Sequence, residues 1–187
     1  MKNILLVEDD QDLCETLAAF VNPSEYQIDT IDDVPGTVDY IKSRSPDVVL
    51  LDVNLPSGSG LELLKEIRRM NGAPPVIVIS GYVTPQCAIE AMREGAYEYV
   101  TKPFRLEQLL KTINKATAGH ALGQSGSHDL VEPSVAALKL TDMDKQQAGE
   151  ETRELIGQSP EIVEIAKMIG QVAKTDAAVL IFGESGT

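Results

Sequence analysis

The sequence is poor in cysteine and in long apolar runs, and each shortage excludes a class of protein. Its 187 residues include two cysteines, Cys14 and Cys87, without CxxC spacing. Two such cysteines are too few for a disulfide framework and predict free thiols rather than a redox or metal site. No apolar run approaches the ~20 residues of a transmembrane helix, and the opening MKNILLVEDD meets acids too soon for a signal peptide. We therefore expect a cytoplasmic protein with no membrane partner.

Basic side chains are also scarce. The chain carries 16 Lys and Arg against 29 Asp and Glu, which gives a formal net charge of -13. Binding to nucleic acid or anionic lipid by charge alone needs clustered basic residues, because the phosphates must be neutralised. The sequence excludes that mode of binding, and most of the acidity is interpreted as a solvated surface.

Five short apolar runs alternate with stretches of helical spacing. The runs are residues 3–7, 26–30, 47–51, 75–79 and 97–100. Three of them lack polar alternation, which is typical of strands covered on both faces, and the second and fifth are expected nearer the edges of the sheet. Helices between the runs favour right-handed crossovers and parallel strands. The sequence predicts an α/β domain over residues 1–118 with a five-stranded, parallel, doubly wound sheet.

Polar side chains follow four of the five runs. They are Glu8, Asp9 and Asp10 after the first run, Asp52 after the third, Ser80 after the fourth and Lys102 after the fifth. Ligands of doubly wound sheets bind beyond the carboxyl ends of the strands, so these groups are expected to converge. The Pro and Gly residues of VNLPSGSG exclude an immediate helix after Asp52. This carboxylate is therefore predicted to be presented rather than buried.

These residue types suit transfer of a phosphoryl group to Asp52, since carboxylates can attack phosphorus. Glu8 and Asp9 could hold a hard divalent cation such as Mg²⁺ beside it. Lys102 would add a second positive charge, and the Ser80 hydroxyl could donate to the phosphoryl oxygens. Structural interpretations stand beside these roles: a helix cap, a carboxylate bound to loop amides, a solvated lysine and a small packed serine. The joint placement favours the functional interpretation.

Four ordered motifs, ILLVEDD, VVLLDVNLP, VIVISG and YVTKPF, resemble the receiver domain of bacterial two-component response regulators. The resemblance covers residues 1–118 and implies a flavodoxin-like sheet with strand order 2-1-3-4-5. It implies that Asp52 accepts a phosphoryl group from a sensor histidine kinase. The domain would be a phosphorylation-dependent switch in a phosphorelay rather than an enzyme.

The same resemblance implies roles for the neighbouring residues. The Mg²⁺ ligands would be Glu8, Asp9, Asp52 and the backbone carbonyl of Asn54. Lys102 and Ser80 would contact the phosphate, and the Lys102–Pro103 peptide bond would be cis. Tyr99 would swing inward with the serine, although an aromatic residue covering the core is the alternative. The face from Pro85 to Thr117 would respond and support a homodimer on phosphorylation.

The composition changes beyond the predicted receiver. Residues 119–154, with the stretch GHALGQSGSHDLVEPS, are interpreted as a linker. Structure is expected to resume with a helix that Ser159 caps and Pro160 begins, followed by a strand near residues 178–182. One helix and one strand cannot bury their own faces. Disorder, docking on the receiver and exchange with a partner chain are all left open.

Residues 155–187 resemble the start of the AAA+ ATPase domain of sigma-54-dependent, NtrC-type activators. The sequence ends within a phosphate-binding loop, at Gly183, Glu184, Ser185, Gly186 and Thr187. Because the lysine of this loop is not reached, we expect no ATP hydrolysis by this chain. The resemblance implies that a full-length protein would engage ATP, DNA and sigma-54 RNA polymerase to regulate transcription.

Two other functions compete with the switch. One is an enzyme with an aspartyl phosphate intermediate, either a phosphatase or a phosphotransferase. Enzymes of the haloacid dehalogenase type need a second acid two residues after the nucleophile, and Asn54 stands there. The other is a stand-alone adaptor whose tail binds another protein.

Overall fold

The protein, as a computed structural model, is described over residues 1–81, 84–121, 157 and 159–181. The main strands are β1 (Lys2–Val7), β2 (Tyr26–Ile31), β3 (Val48–Asp52), β4 (Val76–Ser80) and β5 (Glu98–Thr101). The helices are α1 (Gln11–Phe20), α2 (Thr37–Arg44), α3 (Gly60–Arg68), α4 (Pro85–Arg93), α5 (Leu106–Ala121) and α6 (Pro160–Val172). A small hairpin of Asn54–Leu55 and Gly58–Ser59 follows β3. None of the described helices has the length and apolar character needed to cross a bilayer.

The central sheet is parallel, with the order β2-β1-β3-β4-β5. This confirms the predicted fold class and strand order, and each predicted strand lies within one residue of the observed bounds. Strands β2 and β5 form the two edges, as predicted. In the register, Asp52 pairs with Ile79 and Ser80 pairs with Thr101. The last residues of β3, β4 and β5 therefore reach the same edge of the sheet.

The sheet separates two apolar cores. One face carries Leu5, Val7, Val49, Leu51 and Val78 against helices α2, α3, α4 and α6. The other face carries Ile4, Leu6, Leu50, Ile77 and Ile79 against helices α1 and α5. Burying one such side chain stabilises the fold by about 1.5–3 kcal/mol. Coverage on both faces explains why the central strands contain no polar alternation.

Side-chain caps start three of the helices. Asp10 accepts a hydrogen bond from the Leu13 amide at 3.2 Å and begins α1 directly after the β1 loop. Thr84 caps α4 in the same way. Ser159 accepts a hydrogen bond from the Ile162 amide at 3.4 Å, with proline in the first turn of α6, as predicted. Each cap satisfies an amide that the helix itself leaves without a partner.

The described part of the tail differs from the prediction in one respect. Helix α6 packs against α4. Of disorder, docking on the predicted receiver and exchange with a partner chain, the structure therefore shows docking. The predicted strand near residues 178–182 is wrong for its described part, because residues 176–181 have no regular structure. Neither described sheet includes this segment, so its backbone has no ladder of hydrogen bonds to a neighbouring strand. Helix α5 continues to Ala121, into the predicted linker.

The rest of the predicted linker and the phosphate-binding loop lie outside the described residues. The described tail is limited to Gly157 and residues 159–181. The assignments of residues 122–154 and of Gly183–Thr187 therefore stay predictions.

Gly60 begins α3 directly against the backbone of Asp52. A Cβ atom at this position would lie 2.0 Å from the Asp52 carbonyl oxygen. Because the backbone would have to move, Gly60→Ala should lower the free energy of unfolding by about 3 kcal/mol, measured by urea denaturation. Gly81→Ala is the control, since a Cβ at Gly81 meets nothing within 4 Å. Equal stability losses in the two variants would contradict this reading of the contact.

Candidate functional site

The carboxyl ends of three strands bring one lysine between two acids. The Lys102 ammonium lies 2.6 Å from Glu8 Oε2 and 2.7 Å from Asp52 Oδ2. The Lys102 amide also donates to the Ser80 carbonyl at 2.8 Å, which ties the loop after β5 to the end of β4. The Lys102–Pro103 peptide bond is cis, as the family resemblance implied.

All three side chains of this bridge are partly or wholly removed from water. The exposed fractions are 1% for Glu8, 8% for Asp52 and 22% for Lys102. Burial raises the pKa of Glu8, against the hydrogen bond from Lys102. Burial alone would lower the pKa of Lys102, but hydrogen bonds to Asp52 and Glu8, with their charges, outweigh it and raise that pKa. The lysine is therefore held in its charged form.

The expectation that Asp52 is presented rather than buried is wrong. Its Oδ2 accepts from Lys102, and its Oδ1 accepts from the Asn54 amide at 2.9 Å. The second contact is the loop-amide interaction considered as a structural role. Asp52 is covered because groups from a distant loop and from its own hairpin close over it.

Three acids lie close enough to share a cation. Glu8, Asp9 and Asp52 each place one carboxylate oxygen within 4.8 Å of the others. A set of carboxylate oxygens suits a hard ion such as Mg²⁺, so the residues fit the cation that receiver domains bind. Asp9 is exposed, whereas Asp10 turns away to cap α1. The capping interpretation thus holds for Asp10 and leaves Asp9 with the cluster.

Ser80 and Tyr99 lie just behind the acidic cluster. Ser80 is fully buried and Tyr99 is 2% exposed, inside the core beneath α4. The Tyr99 hydroxyl interacts with the Ser80 hydroxyl and the Cys87 thiol, and burial raises the pKa of Tyr99 far above its ordinary value. The tyrosine points inward and contacts the serine. Its place in the core agrees with the alternative of a core aromatic, and its role in a switch stays a prediction.

The sequence did not indicate that Cys87 contacts Tyr99. The thiol is free, as predicted, but it lies on α4 against the Tyr99 hydroxyl. No spacing pattern links a helix residue to a residue of the following strand. Only the packing of α4 on β5 brings the two together.

Comparison with known proteins identifies the class of this domain. The family model of the response regulator receiver domain matches residues 4–114. The chain therefore belongs to the response regulator receiver family, whose members are signalling domains.

Two transcriptional regulators are similar over almost the whole chain. Transcriptional regulatory protein ZraR of Escherichia coli (strain K12) is 31% identical over 185 residues, which cover 99% of this chain and 38% of that protein. DNA-binding transcriptional regulator NtrC of Klebsiella pneumoniae is 26% identical over 182 residues, which cover 97% of this chain and 35% of that protein. The chain thus spans little more than a third of the length of these relatives.

Solved structures show the same fold. NtrX from Brucella abortus in complex with ATP is 30% identical, with a TM-score of 0.60, over 66% of this chain and 28% of that chain. The receiver domain of a putative Luxo repressor from Vibrio parahaemolyticus has a TM-score of 0.62 at 23% identity. That second match covers 65% of this chain and 94% of the other.

The lysine bridge can be tested by removing its charge. Lys102→Met leaves Glu8 and Asp52 facing each other without a counter-charge. The free energy of unfolding, measured by urea denaturation without Mg²⁺, should fall by about 2 kcal/mol. Added Mg²⁺ should restore more stability to this variant than to the unaltered protein, because the ion takes over the neutralisation.

Lys65→Met is the matched control. Lys65 also contacts two acids, Glu62 at 2.8 Å and Glu90 at 3.4 Å, but these pairs lie on the surface. Exposed pairs contribute little, so this variant should keep its stability and show no special response to Mg²⁺. The assignment fails if both lysine variants respond alike.

Proposed function

We propose that Asp52 accepts a phosphoryl group from a sensor histidine kinase and that the added charge switches the domain. One observation carries the proposal: the half-buried Lys102 ammonium lies between the nearly buried acids Glu8 and Asp52, with Asp9 beside them, in a member of the receiver family. Both acids that Lys102 contacts are nearly buried, and Asp9 adds a third carboxylate beside them. This excess of negative charge over the single ammonium favours a site that takes an additional cation and an incoming phosphate.

The transfer is a displacement at phosphorus. An oxygen of the Asp52 carboxylate forms the new bond, and the bond from phosphorus to the donor nitrogen breaks. Its electron pair stays with the donor, which takes up a proton. Two anions must approach each other in this step, so Lys102 reduces the repulsion. Its contact with Glu8 holds the ammonium where the oxygens of the phosphoryl group would lie after transfer to Asp52.

Glu8, Asp9, Asp52 and the backbone carbonyl of Asn54 would hold Mg²⁺. When bound, the ion would neutralise charge on the phosphoryl oxygens. The Asn54 amide already binds Asp52 Oδ1 at 2.9 Å and keeps that oxygen oriented. The exposed position of Asp9 leaves the cluster accessible from solvent.

The switch would act through Ser80 and Tyr99. A phosphoryl group adds about -1.5 to -2 charges and three strong acceptors at one point. The Ser80 hydroxyl, which interacts with Tyr99 in this structure, would donate to the phosphoryl oxygens instead. The contact between Ser80 and Tyr99 would then be lost. Tyr99 and the start of α4 would rearrange as a result. We propose that the face from Pro85 to Thr117 carries this change and forms a homodimer.

The longer protein would be a transcriptional regulator. Its relatives ZraR and NtrC are named as transcriptional regulators, and this chain aligns with both beyond the receiver. We propose that residues 155–187 begin an AAA+ domain that binds ATP. The phosphorylated receiver would then control sigma-54-dependent transcription at DNA, together with sigma-54 RNA polymerase.

Phosphoryl transfer can be followed by intact-protein mass spectrometry. Acetyl phosphate with Mg²⁺ should add one phosphoryl group to the unaltered chain, and chelation of the metal with EDTA should prevent it. Asp52→Asn should acquire none, because the amide is not a nucleophile toward phosphorus. Asp10→Asn is the control, since asparagine caps a helix as well as aspartate does, and it should be modified normally. An adduct on Asp52→Asn would refute the assignment.

A further inference from the structure

Helix α6 lies against α4 at backbone contact distance. A Cβ atom at Gly170 would lie 2.6 Å from the Ile89 carbonyl oxygen and 2.7 Å from Met92 Cβ. Val163 and Ala166, on the same side of α6, are 4% and 0% exposed. Such close approach requires glycine at residue 170. The contact is therefore a specific fit between two helices rather than loose covering of an apolar surface.

A lysine joins the same helix to β5. Lys167 donates to Glu98 Oε1 at 2.8 Å and to the Tyr99 carbonyl at 3.3 Å, and it also contacts Glu164. Its side chain is only 12% exposed. Strand β5 is an edge strand, so its outward backbone oxygens lack a neighbouring strand to bind. Lys167 satisfies one of them, at the residue whose side chain contacts Ser80.

Helix α6 covers only part of the face that it occupies. A cavity of about 270 Å³ separates it from α5 and is lined by Gln108, Thr112, Glu164 and Lys167 among others. The docked helix thus rests on α4 and β5 and leaves the flank of α5 open. Its position blocks the middle of the surface that the proposed dimer would use.

We propose that the surface formed by α4 and β5 is a helix-binding site, that α6 occupies it, and that a second receiver cannot use it until α6 leaves. The competition rests on the dimerisation proposed above, whereas the docking rests on the contacts of Gly170 and Lys167 alone. Release of α6 then precedes self-association. The occupant is a segment of the same chain, so its effective concentration is high and a second chain competes at a disadvantage.

Hydrogen–deuterium exchange of the full, unphosphorylated chain tests the docking. Gly170→Ala raises the helix propensity of α6, yet its Cβ collides with α4. An undocked helix of 13 residues is marginal in water, so exchange in α6 should accelerate about ten-fold. Gly119→Ala is the matched control, because a Cβ at Gly119 meets nothing within 4 Å. Slower exchange in α6 of Gly170→Ala would overturn the docking.

A charge exchange supplies a second test of the docking. Lys167→Glu places a third carboxylate beside Glu98 and Glu164, and it should release α6 to a similar extent. Adding Glu98→Lys restores an opposite pair and should recover part of the slow exchange of α6, since a carboxylate at residue 167 cannot donate to the Tyr99 carbonyl. If the double variant exchanges as fast as Lys167→Glu, the ion pair does not hold the helix and the assignment of Lys167 is wrong.

Sedimentation of the full chain after treatment with acetyl phosphate and Mg²⁺ tests the competition. Gly170→Ala should dimerise at about ten-fold lower concentration than the unaltered chain or Gly119→Ala. Equal self-association in a variant whose α6 is released would overturn the competition. Mass spectrometry of the same samples reports the phosphoryl adduct, and its absence would refute the proposed function instead. The exchange experiment still decides the docking in that case.

Discussion

The shared Lys102 ammonium is the interaction on which the site depends. Two carboxylates from different strand ends lie within hydrogen-bond reach of it, and burying a carboxylate without such a counter-charge is costly. The bridge is possible because the strand order places β1, β3 and β5 with their carboxyl ends at one edge. The fold thus brings the two carboxylates together, and the positive charge of Lys102 offsets the cost of burying them.

A mechanical path leads from the acidic site to a distant surface. Ser80 lies at the end of β4, Tyr99 touches it from β5, and Cys87 touches Tyr99 from α4. The same tyrosine presents its carbonyl to Lys167 of α6. A change at the acidic site that displaced Tyr99 would therefore also alter the contact with α6. Packed cores change between discrete arrangements, which suits a switch with two states.

The main sheet was predictable because buried parallel strands have a distinctive signature. The five apolar runs, three of them without alternation, predicted each strand to within one residue. The polar residues after them predicted which side chains lie together at the carboxyl ends of the strands. The burial of Asp52 was not predictable, since its cover includes a lysine from far along the chain. The predicted strand, which residues 178–181 do not form, shows the same limit. A strand needs a neighbouring strand, and the local sequence does not indicate whether one is present. Docking of α6 likewise depends on Gly170, and the need for glycine there becomes apparent only when the structure places it against Ile89.

The adjacent aspartates after β1 are divided between a helix cap and the acidic cluster. Asp10 begins α1 through the Leu13 amide, while Asp9 stays with Glu8 and Asp52. The division holds only because α1 starts immediately after these acids. Inserting or deleting one residue there would place a different residue at the N-cap of α1 or in the acidic cluster. The length of this loop is therefore fixed by two requirements at once, which leaves it far less room for change than an ordinary surface turn.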